Sequence, residues 1–295
     1  MISFPNIDLE KLVCYARLVR LDKPVGIFLL LWPTLWALFI ASNGIPSIKH
    51  LAVFILGVIL MRSAGCAIND YADRKIDPHI TRTSKRPLAE GDLQPIDALI
   101  VCAILVFIAF LLVLFFLNTI TLYFAMGGVL LAASYPFMKR IHFLPQVHLG
   151  IAFAWSVPMA FTAVSNDYPP PMAWLIFTCA VLWTTAYDTM YAMADREEDI
   201  KIGVKSTAIL FGPLDKFVVG LMQFLVVVCL ILIGINAKLS WIYYLGVAIG
   251  IGLFIYQQVL IKHRFADRCF FAFINNQYFG LIVFLSLLGH YILQN

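Results

Sequence analysis

Nine apolar stretches, each close to the length that crosses a bilayer, divide this chain. They lie near residues 25–41, 48–68, 96–117, 119–138, 147–165, 172–194, 214–235, 240–261 and 270–292. About 20 apolar residues carry a helix through the hydrocarbon core, and in that medium a lone segment satisfies its backbone polar groups only as a helix. The pattern predicts an all-α, polytopic membrane protein with nine transmembrane helices. Composition agrees, with 62% hydrophobic and 13% charged residues and a mean hydropathy of +0.88. Such values exclude a soluble globule, a disordered chain and a secreted disulfide scaffold. The six cysteines are scattered singly and read as small apolar residues.

Residues 1–24 mix acids and bases with Leu9, Leu12, Val13, Ala16 and Val19 at helical spacing. This predicts an amphipathic segment lying in the membrane interface, without a cleavable signal peptide, ahead of a single transmembrane domain over 25–295. Basic residues gather on the cytoplasmic side of membrane proteins. With the N-terminus cytoplasmic and nine crossings, only Lys49 and Lys238 fall on the far side, Arg62 lies within a span, and every other Lys and Arg falls inside. The C-terminus is then expected on the periplasmic side. The net charge of +4, without a long basic run, argues against a nucleic-acid partner. Gly246, Gly250 and Gly252 suggest close helix packing, and the six histidines show no ligand spacing.

Eight of the 17 acidic residues fall in two short windows, NDYADRKID at 69–77 and DTMYAMADREED at 188–199. On a helix at about 100° per residue, Asn69, Asp73 and Asp77 share one face, and so do Asp188, Asp195 and Asp199. Each window ends an even-numbered span, so four spans separate them and return the chain to the same side, as in a duplicated four-helix unit. Carboxylates at helix C-termini work against the helix dipole and call for counter-charge. Oxygen donors without His or Cys favour Mg²⁺ before Ca²⁺, shared with a substrate phosphate. Cations stand nearby in sequence: Arg74, Lys75, Arg82, Lys85, Arg86, Lys139 and Arg140. Acids holding Mg²⁺ beside such cations make a diphosphate clamp. Arg62 and Asp188 lie deeper, about 10 Å from Asn69 and Asp195 along their helices, where an ionisable group is a functional candidate.

The two motifs, four spans apart in a nine-helix chain, resemble those of the UbiA superfamily of membrane-embedded aromatic prenyltransferases. The segments RLDKPVGIFLLLWPTLWAL at 20–38, RPLAEG at 86–91, YPFMKR at 135–140, LPQVHLG at 144–150 and KIGVKSTAILFG at 201–212 are similar to its bacterial branch that prenylates 4-hydroxybenzoate for ubiquinone synthesis. The resemblance implies a bundle around a central cavity in the bacterial inner membrane, with the active site facing the cytoplasm. It implies metal–diphosphate contacts at Asn69, Asp73, Asp77, Asp195 and Asp199, with Mg²⁺ as the ion. It also implies a polyprenyl diphosphate donor, a 4-hydroxybenzoate acceptor and alkylation of the ring carbon ortho to the hydroxyl.

Within that frame Arg74, Lys139 and Arg140 are expected to bind diphosphate, and Arg62 to hold the benzoate carboxylate with Arg140 as competitor. Asp188 or Tyr191 is expected to orient or deprotonate the phenol, and an Arg62–Asp188 ion pair is the structural alternative. Other readings are a sibling enzyme using another aromatic acceptor and a membrane transporter. A transporter would place its carboxylates near the midplane on broken helices, not at helix ends beside cations. Prenyl chain length, oligomeric state and protein partners are not legible in the sequence.

Overall fold

The computed structural model describes residues 9–294, in which every regular element is helical. Of the interfacial segment expected over 1–24, residues 1–8 lie outside the described residues. Its remainder forms α1 (Leu9–Leu18), whose Leu9, Leu12 and Val13 are exposed while Leu18 is buried. Pro24 then precedes α2 (Val25–Ala41). The chain continues through α3 (Ile48–Asp73), a short α4 (Pro87–Glu90), α5 (Pro95–Phe116), α6 (Thr119–Ile141), α7 (Pro145–Ala154), α8 (Ser156–Ser165), α9 (Pro171–Ile202), a short α10 (Thr207–Phe211), α11 (Asp215–Asn236), α12 (Trp241–Leu260) and α13 (Ala266–Gln294).

Every apolar stretch in the sequence coincides with one of these helices, α7 and α8 sharing one stretch across a break at Trp155. Among the described residues seven helical segments are long and apolar enough to cross a membrane. The remaining two stretches differ for separate reasons. α2 has only 17 residues, and α9, with 32, ends in the acidic sequence DREEDIKI. Local signals start the helices: Ser47 accepts a hydrogen bond from His50 N, Gln94 and Asp97 form a capping box at α5, and the Asn118 side chain accepts from Thr121 N.

The core lies between α2, α8, α9, α11, α12 and α13. Trp36 stacks on Trp183 at 5.3 Å and Phe254 on Phe279 at 4.1 Å, and Trp183 Nε1 donates to Asn276 Oδ1 at 2.9 Å. Of the three glycines flagged in α12, Gly246 faces Ser286 and Gly250 faces the Phe279 ring, where a side chain would collide, while Gly252 faces open space. A buried amide ladder runs from Gln223 to Gln257 (2.8 Å) to Asn275 (3.0 Å) and ties α11, α12 and α13 together, as polar side chains do between helices in lipid.

This half is solid, whereas the other half encloses a cavity of about 1630 Å³. The C-terminal ends of α3, α6 and α9 and the N-terminal ends of α2, α7 and α13 all reach its polar mouth. α5 and α6 form its outer wall. They carry the most exposed apolar residues along it, Phe107 at 60% and Leu130 at 71%.

Candidate active site

The end of α3 brings the first acidic motif to the mouth, although not on one continuous helical face. α3 stops at Asp73, and Asp77 begins a 3₁₀ turn over Asp77–His79. The expected single face for Asn69, Asp73 and Asp77 is therefore corrected. Pro78 has no N–H to bond back to the carbonyl of residue 74 and its ring clashes with that carbonyl, so the α-helical ladder cannot continue through it. The turn still delivers Asp77 to the same cavity as Asn69 and Asp73, and Asp73 and Asp77 are buried. α9 does remain helical to Ile202, so Asp188, Tyr191, Asp195 and Asp199 line the opposite wall in one row. The two acid-bearing helix ends thus face one chamber.

Cations pair with Asp73, Asp77 and Asp195. Lys139 pairs with Asp73, and Arg86 spans Asp77 at 2.9 Å and Asp70 at 3.2 Å. Arg82 forks onto Asp195 while its guanidinium lies 3.8 Å from the centre of the Tyr191 ring. Thr81 Oγ1 donates to Glu198 at 2.7 Å. The segment 74–86 is therefore a strap from the first motif to the second. Asp73 Oδ1 accepts no hydrogen bond, and Asp199, buried at 8% exposure, makes no ion pair among the described residues.

Burial raises the Asp77 carboxyl to about 6, against the pull of Arg86 and helped by the neighbouring Asp73 and Asp70. Burial also works against the charge on Arg86, but Asp70 and Asp77 more than offset it and hold the guanidinium above its ordinary value.

Of the three cations expected to bind diphosphate, Arg74, Lys139 and Arg140, only Lys139 lines the cavity. Arg74 turns aside, lying 4.3 Å from the centre of the Tyr71 ring and donating to Tyr71 O at 2.6 Å. Arg140 is half exposed at the rim, where it donates to Ala72 O and stands 3.7 Å from Asp73 Oδ1. Arg82 and Arg86, noted in sequence only as nearby charge, do line it. So does Arg20, which the sequence reading left out of the site and which forks onto the fully buried Asp70 at 2.8 and 3.0 Å. Its one sequence signal is its place beside Pro24, next to the mouth.

Deeper in the chamber Arg62, Asp188, Tyr191 and Tyr135 converge on one space. Arg62 forms no ion pair with Asp188 or any other described acid within 4.0 Å. Its Nη1 lies 2.6 Å from Cys66 Sγ, its Nε has no hydrogen-bond partner, and Phe153 flanks it at 5.8 Å. A side chain at position 26 would collide with that guanidinium, so Gly26 gives it room.

Among the described residues no group of three or more His, Cys, Asp or Glu side chains is close enough together to hold a metal ion by itself. The donor set still fits a hard cation held partly by phosphate and water, because such an ion takes only one or two carboxylates from each side. Asp73 Oδ1, buried and lacking a donor, and the unpaired Asp199 are the oxygens that such an ion would satisfy.

The sequence model of the UbiA prenyltransferase family matches residues 30–288. A 4-hydroxybenzoate octaprenyltransferase from Aliivibrio fischeri is 52% identical over 280 residues, covering 95% of this chain and 98% of that protein. One from Escherichia fergusonii is 53% identical over 282 residues, covering 96% and 97%. The structure of a UbiA homolog from Aeropyrum pernix superposes with a TM-score of 0.79 at 26% identity, covering 90% of this chain and 97% of the other. A UbiA homolog from Archaeoglobus fulgidus bound to GPP and Mg²⁺ shares the fold, with a TM-score of 0.67 at 18% identity over 93% and 99% of the two chains.

Proposed function

The chain belongs to the UbiA prenyltransferase family, and from that premise we infer that it transfers a polyprenyl group from polyprenyl diphosphate to the ring carbon ortho to the hydroxyl of 4-hydroxybenzoate, releasing diphosphate. The observation that carries this reading is a mouth lined by two opposed acid clusters and their cations, opening into an apolar chamber that holds an unpaired guanidinium.

In our reading Asn69, Asp73, Asp77, Asp195 and Asp199 hold Mg²⁺ against the donor's diphosphate. The ion supplies charge neutralisation to the departing diphosphate. Lys139, Arg82 and Arg86 add to it by exchanging their carboxylate partners for phosphate oxygens. The allylic carbon–oxygen bond breaks, both electrons leave with the oxygen, and the allylic cation remains in the apolar chamber, where excluded water cannot quench it.

Arg62 forks onto the acceptor carboxylate and sets the ring in the chamber. Asp188, with Tyr191 beside it, accepts a hydrogen bond from the phenol and so raises the electron density of the ortho carbon. That carbon forms the new bond to the allylic carbon, and its proton is lost to restore the aromatic ring.

We further propose nine crossings in the bacterial inner membrane, with the N-terminus and the mouth cytoplasmic and the C-terminus periplasmic. Support comes from the basic residues that crowd the mouth end and from the near absence of Lys and Arg at the other. The test is prenyl transfer to labelled 4-hydroxybenzoate in membranes carrying the protein, with and without Mg²⁺. Product that requires Mg²⁺ and vanishes in Asp73→Asn and Asp195→Asn supports the reading. Activity surviving both substitutions would remove the metal assignment, and product only with another aromatic acceptor would move the substrate.

A further inference from the structure

The chamber continues past the acceptor space. Beyond Arg62 its walls pass from α2, α9 and α13 to α3, α5, α6 and α8, and Val53, Phe54, Val113, Leu122, Met126 and Met159 line the far part. Val53 lies 20 residues before Asp73 on α3, so this apolar channel runs about 30 Å from the acid cluster. The face of α3 toward it carries two glycines, Gly57 and Gly65, and a side chain built at either meets nothing within 4 Å. Close helix packing is the usual reason for glycine in a membrane helix. It does not apply at these two positions, where the helix borders open volume.

Resting on the function inferred above, which lays the donor's prenyl tail along this channel, the geometry points to Gly57 as the position that keeps it open to long tails. The occupant follows from continuity, because the channel begins at the diphosphate end and is apolar apart from Ser156 and the Trp155 indole, which are already hydrogen-bonded to Thr34 and to Phe124 O. Gly57 lies 16 residues from Asp73, about 24 Å along the helix. An extended five-carbon unit spans roughly 5 Å, from four carbon–carbon bonds of about 1.5 Å in zigzag. Gly57 therefore meets the fourth or fifth unit of the tail. A two-unit geranyl tail ends well short of it, and an eight-unit octaprenyl tail must pass it.

The experiment compares geranyl and octaprenyl diphosphate as donors to 4-hydroxybenzoate in membranes carrying wild type, Gly57→Ala, Gly57→Leu or Gly57→Phe. Gly252→Phe, which adds the same bulk at an exposed open position, is the control. For Gly57→Phe, kcat/KM with octaprenyl diphosphate is expected to fall about ten- to hundredfold, as overpacking does, while the geranyl value stays within about twofold. The ratio between donors grows from Ala to Phe, and Gly252→Phe changes neither. Retained geranyl transfer reports that the variant is folded. Unchanged octaprenyl transfer in Gly57→Phe, or a parallel fall with both donors across the series, overturns the proposal and leaves the inferred reaction standing. Absence of product from either donor in wild type would remove that reaction and the proposal with it.

Discussion

Removing the guanidinium of Arg62 should weaken acceptor binding far more than it slows turnover. In the structure this group has an Nε without a hydrogen-bond partner and no acid within 4.0 Å, so the acceptor carboxylate has no rival for it among the described residues. A bidentate Arg–carboxylate pair in a fully buried site loses about 3–5 kcal/mol when one partner is deleted. Arg62 is only half-buried and the chamber opens at its mouth, so about 2–4 kcal/mol is a fair range, or roughly 30- to 1000-fold in kcat/KM. The carboxylate stays clear of the reacting carbon and is held equally before and during the reaction, so the loss belongs in KM. The assay varies 4-hydroxybenzoate at saturating donor for wild type, Arg62→Ala and Arg62→Lys, then repeats it with the uncharged methyl ester. Wild type should prefer the acid strongly, Arg62→Ala should lose that preference, and Arg62→Lys should fall between them. An active Arg62→Ala with unchanged KM for the acid and unchanged preference over the ester would refute the assignment.

Two further expectations concern the rim of the site and the frame beneath it. Because folding raises Asp77 from 3.8 to about 6, its contribution to the stability of the metal-free protein is full below pH 3.8 and is lost as pH rises through 6. Metal binding needs the ionised form, so Mg²⁺ affinity measured by titration calorimetry should fall up to about tenfold per pH unit below 6; an affinity independent of pH between 5 and 7 would exclude Asp77 as a ligand. Asp215, fully buried, binds Arg264 through both oxygens and Arg196 at 3.3 Å. Both arginines are partly solvated, so Asp215→Ala should cost about 2 kcal/mol, near 5 °C in the thermal midpoint in detergent, without changing KM for either substrate.

The parts of this architecture carried by local pattern were legible in the sequence. Helix positions follow from apolar length, and the row Asp188, Asp195, Asp199 follows from helical period because nothing interrupts α9. The same period misplaced Asp77, since α3 ends at Asp73 and Pro78 lacks the N–H that a continuous α-helix would bond back to residue 74, a signal present in the sequence that periodicity alone does not weigh. Pairings between distant elements had no such signal. Arg82 with Asp195 and Thr81 with Glu198 join residues more than a hundred positions apart, and a charge count says only that partners exist. Asp70, off the face that Asn69 and Asp73 share, is sealed beneath Arg20 and Arg86, and the alternative ion pair of Arg62 with Asp188 does not form, although both line the chamber. The cavity's shape could not be read either, because apolar residues facing a channel and apolar residues facing lipid look alike in sequence.

The central claim is that both acid clusters hold one metal-bound diphosphate. The most direct measurement is binding of geranyl S-thiolodiphosphate, a donor analogue that resists ionisation, to the purified protein with and without Mg²⁺, in wild type, Asp73→Asn and Asp195→Asn. Both substitutions should abolish the Mg²⁺-dependent part of binding, since each removes a charge from a different wall while keeping its shape. Wild-type Mg²⁺-dependent binding in either variant would contradict the account, because the ion would then rest on one motif alone.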